Sequence, residues 1–245
     1  MAKGYLSEIF VSFQGEGLHA GRRQLFLRLS GCHLRCRYCD TPGSLERSTT
    51  FRVYRGDGTV FDGANPVSPD ETLAHALPLL STAGGADGVA VTGGEPLLQA
   101  AFLAELLADD RWPRPRMLET SGTHPEALAA VLPVVDVVSM DIKLPSNTGE
   151  ASQWEAHGRF LATAGRKAYL KVLVDEGTTL EDVEQAADLV RREAPEAALF
   201  LQPITSPSGR VDISAAALSR FFAAARSRLS DVRVLPQTHK MIGIQ

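Results

Sequence analysis

Along the chain, short apolar runs alternate with longer segments whose apolar residues recur every three or four positions. Six runs read as strands: 24–31 (QLFLRLSG), 88–94 (GVAVTGG), 116–122 (RMLETSG), 134–143 (VVDVVSMDIK), 167–175 (KAYLKVLVD) and 197–204 (AALFLQPI). Helix-period segments lie between them. Residues 96–107 open with a proline suited to a first helical turn, and 179–193 and 214–226 carry one apolar face. Continuous apolar strands separated by helices imply an α/β fold with a parallel sheet covered by helices. Six units are too few for a closed eight-stranded barrel but suit an open, curved part of one. Residues 49–64, with RGDG at their centre, read as a β-hairpin inserted before the next helix. No internal repeat or low-complexity tract interrupts the pattern, and 1–245 reads as one domain.

A hydrophobic content of 44% supports a sizeable core. The net charge of −4 gives no electrostatic reason to expect nucleic acid or an anionic membrane as partner. No stretch reaches the roughly 20 apolar residues that span a bilayer, and MAKGYLSEIF lacks the apolar core of a signal peptide. The expectation is a cytoplasmic protein. In that compartment an odd, clustered set of cysteines points to metal binding or catalysis rather than to disulfides.

All three cysteines fall in GCHLRCRYCDT (31–41) with the spacing C-x3-C-x2-C. Thiolates are soft ligands for iron–sulfur clusters, zinc or Cu(I). A [4Fe-4S] cluster usually takes four cysteines, one per iron. Cys32, Cys36 and Cys39 would leave one iron open to an exogenous ligand. Zinc with His33 or Asp40 as fourth ligand is the alternative, although structural zinc sites more often pair two separated CxxC halves. A simple electron carrier would normally bring a fourth cysteine. His33 itself reads as loop surface.

In open α/β sheets, ligands bind beyond the carboxyl ends of the strands. Thr92-Gly93-Gly94-Glu95-Pro96 ends one strand there, where glycines permit close backbone approach and Glu95 is an acceptor at a helix start. Glu119 and Ser121 end the next, Ser139, Asp141 and Lys143 the one after, and Gln202 the last. Each alone also reads as a cap or rim residue; as a set they line one mouth. On a glycine-flanked loop near the N-terminus, Gln14 and Glu16 suit a substrate with a guanine-like donor and acceptor edge. Arg28 offers a planar fork to a carboxylate. The plainer readings are a turn shaped by Gly15 and Gly17, a surface strand residue at Arg28, and a turn cap at Thr41.

C-x3-C-x2-C with Tyr38 before the last cysteine, at the end of a first strand and followed by TGGEP, resembles the signature of the radical S-adenosylmethionine (SAM) superfamily. That resemblance implies a partial (β/α)6 barrel, a [4Fe-4S] cluster on the three cysteines, and SAM chelated by the open iron. It further implies SAM contacts from Tyr38, Cys39, Asp40, Gly94, Glu95, Glu119, Ser121, Ser139, Asp141 and Gln202, with Lys143 either holding the SAM carboxylate or neutralising Asp141. Within the superfamily, SFQGEG, LRLSGCHLRCRYCDT, ETSGT, MDIKLP and QTHKMIGI resemble the 7-carboxy-7-deazaguanine synthase family across nearly the whole chain. The implied reaction converts 6-carboxy-5,6,7,8-tetrahydropterin to 7-carboxy-7-deazaguanine with loss of ammonia, on the route to queuosine and other 7-deazapurines. Phe13, Gln14, Gly15, Glu16, Arg28, Thr92 and the terminal Gln245 would then contact substrate, and Thr41 would bind Mg²⁺. A flavodoxin- or ferredoxin-type electron donor and a homodimer are implied as well. Residues 227–245 would close the site, and the hairpin-bearing 43–69 departs from the family's shorter connection. A glycyl-radical-enzyme activase and a non-catalytic Fe–S or zinc protein are the competing classes; the activase would have no use for Gln14 and Glu16.

Overall fold

In the computed structural model, which describes residues 2–81 and 84–244, ten strands form one sheet. In chain order they are β1 (Leu6–Phe13), β2 (Arg23–Leu29), β3 (Thr50–Tyr54), β4 (Val60–Ala64), β5 (Val89–Gly93), β6 (Arg116–Thr120), β7 (Val137–Asp141), β8 (Ala168–Val174), β9 (Leu199–Pro203) and β10 (Val232–Val234). Across the sheet the order is β10-β9-β8-β7-β6-β5-β2-β1-β3-β4. β2 and β5 to β9 run parallel, and these are the six strands that the apolar runs predict. The sheet is open, with β10 and β4 at its edges. No helix of the described residues is long and apolar enough to cross a membrane.

β1 is missing from the pattern-based strands. A register shift between Leu6 and Glu8 breaks its two-residue alternation, so LSEIFVSF carries no clean period. It lies antiparallel to β2 and brings the N-terminal motif to the edge of the parallel core. The expected hairpin forms as β3 and β4 but is no free appendage, because β3 pairs with β1 and extends the sheet. Asn65 fastens it, exchanging bonds with Leu6 (3.0 and 2.8 Å) and donating to the Ser48 carbonyl (3.1 Å). The helix expected at 96–107 is split into a 3-10 turn, Pro96–Gln99, and a helix, Ala100–Leu107. The Gln99 side chain is committed to the Tyr5 and Ser30 backbones, which fixes that break.

Side chains alternate along each strand and divide the core in two. Leu25, Leu27, Val89, Val91, Leu118, Val138, Leu170, Val172, Leu199 and Leu201 face the helices in the larger cluster. Phe26, Ala90, Met117, Tyr169 and Phe200 point to the other face and pack with Phe10, whose ring stacks on Phe26 at 5.0 Å. That face is concave. Five inter-strand steps would separate β1 from β8 by roughly 24 Å in a flat sheet. Yet a side chain on Gly17, four residues beyond β1, would collide with the Tyr169 ring on β8.

At the carboxyl ends of β2 and β5 the two backbones almost merge. Gly94 N–H donates to the Leu29 carbonyl (3.1 Å) and Glu95 N–H to the Gly31 carbonyl (2.9 Å). A side chain on Gly94 would strike the carbonyls of Gly31 and Ser44, and Gly93 has φ +139° with no room beside Leu29. Gly31 N–H to Ser44 (2.8 Å) and Cys32 N–H to Leu45 (2.9 Å) close the intervening loop on itself. Gly94→Ala should therefore cost at least about 2 kcal/mol, because backbone has to move. The companion Gly43→Ala, which meets open space, should stay within about 0.5 kcal/mol. Thermal melts of both variants, with amide exchange read across residues 31–45, check this; equal effects would refute the splice.

Candidate active site

Two residues beyond the apolar row of the concave face, every parallel strand turns polar. Phe26 is followed by Arg28, Ala90 by Thr92, Met117 by Glu119, Tyr169 by Lys171 and Phe200 by Gln202, while β7 supplies Ser139 and Asp141. The register places Arg28 beside Thr92, Glu119 beside Ser139 and Asp141 beside Lys171. All of these line one cavity at the carboxyl ends of the strands.

The cysteine loop forms another wall, with Cys32, Cys36, Cys39, Tyr38, Asp40 and Thr41 on the cavity. The three thiols are free and partly exposed. Burial pushes the Cys36 thiol up to about 11, against the pull of Lys143, and raises Cys32 for the same first reason. Metal ligation therefore has to displace protons here. The Thr41 hydroxyl makes no capping bond to the turn Pro42–Ser44, so the cap reading does not hold and the residue lines the cavity instead. His33 is exposed on the loop surface, as the sequence reading has it. It meets Thr123 Oγ1 at 3.0 Å and His124 at 3.4 Å, tying the loop to the end of β6.

Several expected ligand residues already have protein partners. Glu95 is fully buried and accepts from Leu97 N–H (3.0 Å), Thr120 Oγ1 (2.8 Å), Ser121 N–H (2.8 Å) and Ser121 Oγ (2.5 Å). Its carboxylate knits β5 to β6, and Gly94 rather than Glu95 faces the cavity. Lys143 donates to Asp141 (2.8 Å) and approaches the Tyr38 hydroxyl (3.4 Å). Burial opposes its charge, but Asp141 and Tyr38 outweigh burial and hold its pKa well above the ordinary lysine value. Lys143 is thus paired with Asp141. The buried His157 supports this corner, accepting from Lys143 N–H (3.1 Å) and meeting the Gly122 carbonyl (3.0 Å); burial lowers its pKa to about 4, so the ring is neutral. Among the described residues, Ser139 Oγ, Asp141 Oδ1 and Gln202 Oε1 are buried and take no hydrogen bond.

The N-terminal loop faces them across the cavity. Gln14 is buried, donates to Glu119 (2.7 Å) and accepts from Glu16 N–H (3.1 Å). Glu16 is paired with Lys171 and accepts from Gln237 (2.7 Å). Burial alone would raise its pKa; Lys171 and Gln237 overcome this and bring it to about 2. Arg28 is not a free surface residue: its Nε is paired with Glu8 at 3.1 Å and its guanidinium lies over Phe10. Phe13 stands half exposed at the mouth, and Thr92 is buried in the wall.

The C-terminal segment lies over this loop. Thr238 N–H and Oγ1 both donate to the Gly15 carbonyl (3.1 and 3.2 Å), and the His239 ring occupies the space a Gly15 side chain would fill. Lys240 pairs with Asp40 (2.8 Å), and Gln237 donates to the same carboxylate (3.1 Å). Gln245 lies outside the described residues. The motif reading omits Lys171, and it holds Gln237, His239 and Lys240 in QTHKMIGI without assigning them a role. Strand parity would have found Lys171, two residues after Tyr169 as Glu119 is two after Met117; nothing local points from Gln237 to its partners, 197 and 221 residues away.

The profile of the radical SAM superfamily matches residues 27–199. The 7-carboxy-7-deazaguanine synthase of Geobacter sulfurreducens is 36% identical over 241 residues, covering 97% of this chain and 96% of the relative. That of Methanopyrus kandleri is 34% identical, covering 96% and 92%. Among solved structures, QueE from Escherichia coli superposes with a TM-score of 0.59 at 22% identity, covering 96% of this chain and 94% of that one. A radical SAM methyltransferase from Sphaerobacter thermophilus gives 0.58 at 14% identity, covering 94% and 77%. These two likenesses establish the shared fold.

Glu95→Gln exchanges one acceptor oxygen for a donor facing donors. It should destabilise the fold by about 2–4 kcal/mol, measured by urea unfolding, whereas a carboxylate kept free for a ligand would leave stability almost unchanged.

Proposed function

The chain belongs to the 7-carboxy-7-deazaguanine synthase family of the radical SAM superfamily, and from that premise we propose that it converts 6-carboxy-5,6,7,8-tetrahydropterin to 7-carboxy-7-deazaguanine in 7-deazapurine biosynthesis. One observation carries the assignment. The chain's three cysteines, with no fourth anywhere in the sequence, share a cavity with a buried, acceptor-rich set of strand-end residues and a reading loop.

The donor set fits the cofactors that the family implies. Cys32, Cys36 and Cys39 would hold a [4Fe-4S] cluster at three irons, leaving the fourth to SAM. Asp141 Oδ1 and Gln202 Oε1, buried without a partner, suit the donors of a nucleoside. Tyr38, Gly94 and Ser139 complete that wall; Asp40, Glu119, Ser121 and Lys143 shape it through the bonds described. Bound together, cluster and SAM would supply the radical chemistry for hydrogen abstraction from the substrate.

The protein contributes placement and charge. Glu16, held ionised, accepts from the amino-pyrimidinone edge, and Gln14 is fixed beside it by Glu119. Thr92, Gly15 and Phe13 line the same end. Arg28 retains a positive charge beside the cavity for the substrate carboxylate despite its bond to Glu8. The Thr41 hydroxyl, free of capping duty, would be the protein ligand for a Mg²⁺ that keeps much of its water shell. The proposed closing segment, 227–245, reaches the reading loop and the cysteine loop through Thr238 on Gly15 and Lys240 on Asp40, and would exclude water from the radical.

A flavodoxin- or ferredoxin-type donor fits the half-exposed Arg35 and Arg37 beside the thiols. A homodimer belongs to the same proposal, with the exposed Val60 and Phe61 on edge strand β4 as available apolar surface.

Anaerobic reconstitution with iron and sulfide, followed by reduction, should yield turnover of 6-carboxytetrahydropterin to a product detected by mass. It should depend on SAM and fall when Mg²⁺ is chelated. Cys36→Ala should abolish turnover and lower bound iron. A fully loaded wild-type protein that cleaves SAM but leaves the pterin intact would overturn the substrate assignment.

A further inference from the structure

Lys171 sits in the middle of β8, its side chain only 6% exposed, and no expected ligand set includes it. Its parity along the strand turns it into the cavity, level with Asp141 on β7. Three carboxylates surround the ammonium: Glu16, Glu119 and Asp141. Asp141 is already matched by Lys143, and Glu119 already takes the Gln14 amide. The Lys171 charge therefore answers Glu16.

Taking the substrate to be a pterin, as above, we propose that Lys171 is a positioning residue, whose buried ammonium locks the Glu16 carboxylate as a fixed acceptor for the paired donors of a 2-aminopyrimidinone edge. Lys171 occupies Oε2 of Glu16 and Gln237 occupies Oε1. Each oxygen keeps a lone pair for substrate. The two bonds come from separate elements, β8 and the C-terminal segment, so they fix the carboxylate's rotation as well as its position. Gly17, packed on the Tyr169 ring two residues before Lys171, ties the loop to the same strand. A buried ion pair is seldom the most stable filling for such a place, since apolar side chains of equal volume do as well or better. The pair is explained by recognition rather than by stability.

Without the ammonium, burial and the nearby Asp40 carboxylate push the Glu16 pKa upward. His239 and the Gln237 amide, with Lys240 engaged on Asp40, are the groups left to oppose the rise. Protonated Glu16 presents a donor to a donor edge. In the wild type Glu16 stays ionised throughout the working range; in a Lys171→Met protein, substrate affinity should fall as pH falls through the raised pKa.

The test uses the cluster-loaded enzyme and 6-carboxypterin, an oxidised analogue that does not react, with binding followed by pterin fluorescence between about pH 6 and pH 9. Lys171→Met should weaken binding by roughly tenfold or more, increasingly so at low pH. Lys171→Arg should recover most of the affinity. In a Glu16→Gln background, Lys171→Met should add almost nothing, because its effect runs through Glu16. KM for the reduced substrate should rise more than kcat falls, while iron content stays at the wild-type level. If Lys171→Met does not accumulate folded, Lys171→Gln takes its place in the same cycle.

Equal weakening with and without the Glu16 carboxylate, or wild-type affinity in the Lys171 variant at every pH, overturns the positioning role alone. Wild-type enzyme that neither binds 6-carboxypterin nor turns over its reduced form overturns the pterin reading, and this role with it.

Discussion

Where β2 and β5 end, the chain brings two backbones together more closely than any side chain would allow. Gly93 sits against Leu29, and Gly94 against the carbonyls of Gly31 and Ser44. Two backbone hydrogen bonds hold the contact, and two more close the cysteine loop just beyond it. This contact sets the height of the thiols above the sheet. It also sets the direction of the chain into Glu95, whose buried carboxylate then gathers the end of β6. The glycines of TGGEP thus act first through packing. Their place on the cavity wall follows from it, since a larger residue would move the loop before it touched any ligand.

A second organising element is electrostatic. Two lysines and two carboxylates alternate across the concave face, Lys143 with Asp141 and Lys171 with Glu16. In a cavity lined by Phe10 and Phe26 and backed by the cluster they form with Met117, Tyr169 and Phe200, such charges are only tolerable in pairs. Pairing leaves selected atoms unsatisfied. Asp141 Oδ1 keeps an unused acceptor while its other oxygen is held by Lys143. The site is therefore oriented before anything binds. The third contact of this kind, Lys240 with Asp40, holds the C-terminal segment to the cysteine loop.

Much of this was legible in the sequence. Six apolar runs correspond to the six parallel strands, and strand-end residues from Arg28 to Gln202 do meet at one mouth together with the three thiols. Less legible was β1, whose bulge hides its period, and the incorporation of the hairpin into the sheet through pairing with that same strand. Individual roles were harder. A motif shows that Glu95 belongs near the cavity, yet its four donors come from the turn that follows it and from β6. Lys171 was concealed because the strand AYLKVLV is otherwise apolar and buried throughout, so the lysine gains meaning only when its parity is compared with that of its neighbours. Contacts such as Gln237 with Glu16, 221 residues apart, have no local trace at all.

The account stands or falls on three thiolates holding a cluster with one iron left to an outside ligand. Mössbauer spectra of protein reconstituted with ⁵⁷Fe, recorded with and without SAM, test this directly. The account predicts that SAM shifts the parameters of a single iron site towards higher coordination while its three thiolate-bound neighbours remain unchanged. Spectra indifferent to SAM, with every iron already carrying a protein ligand, would contradict it.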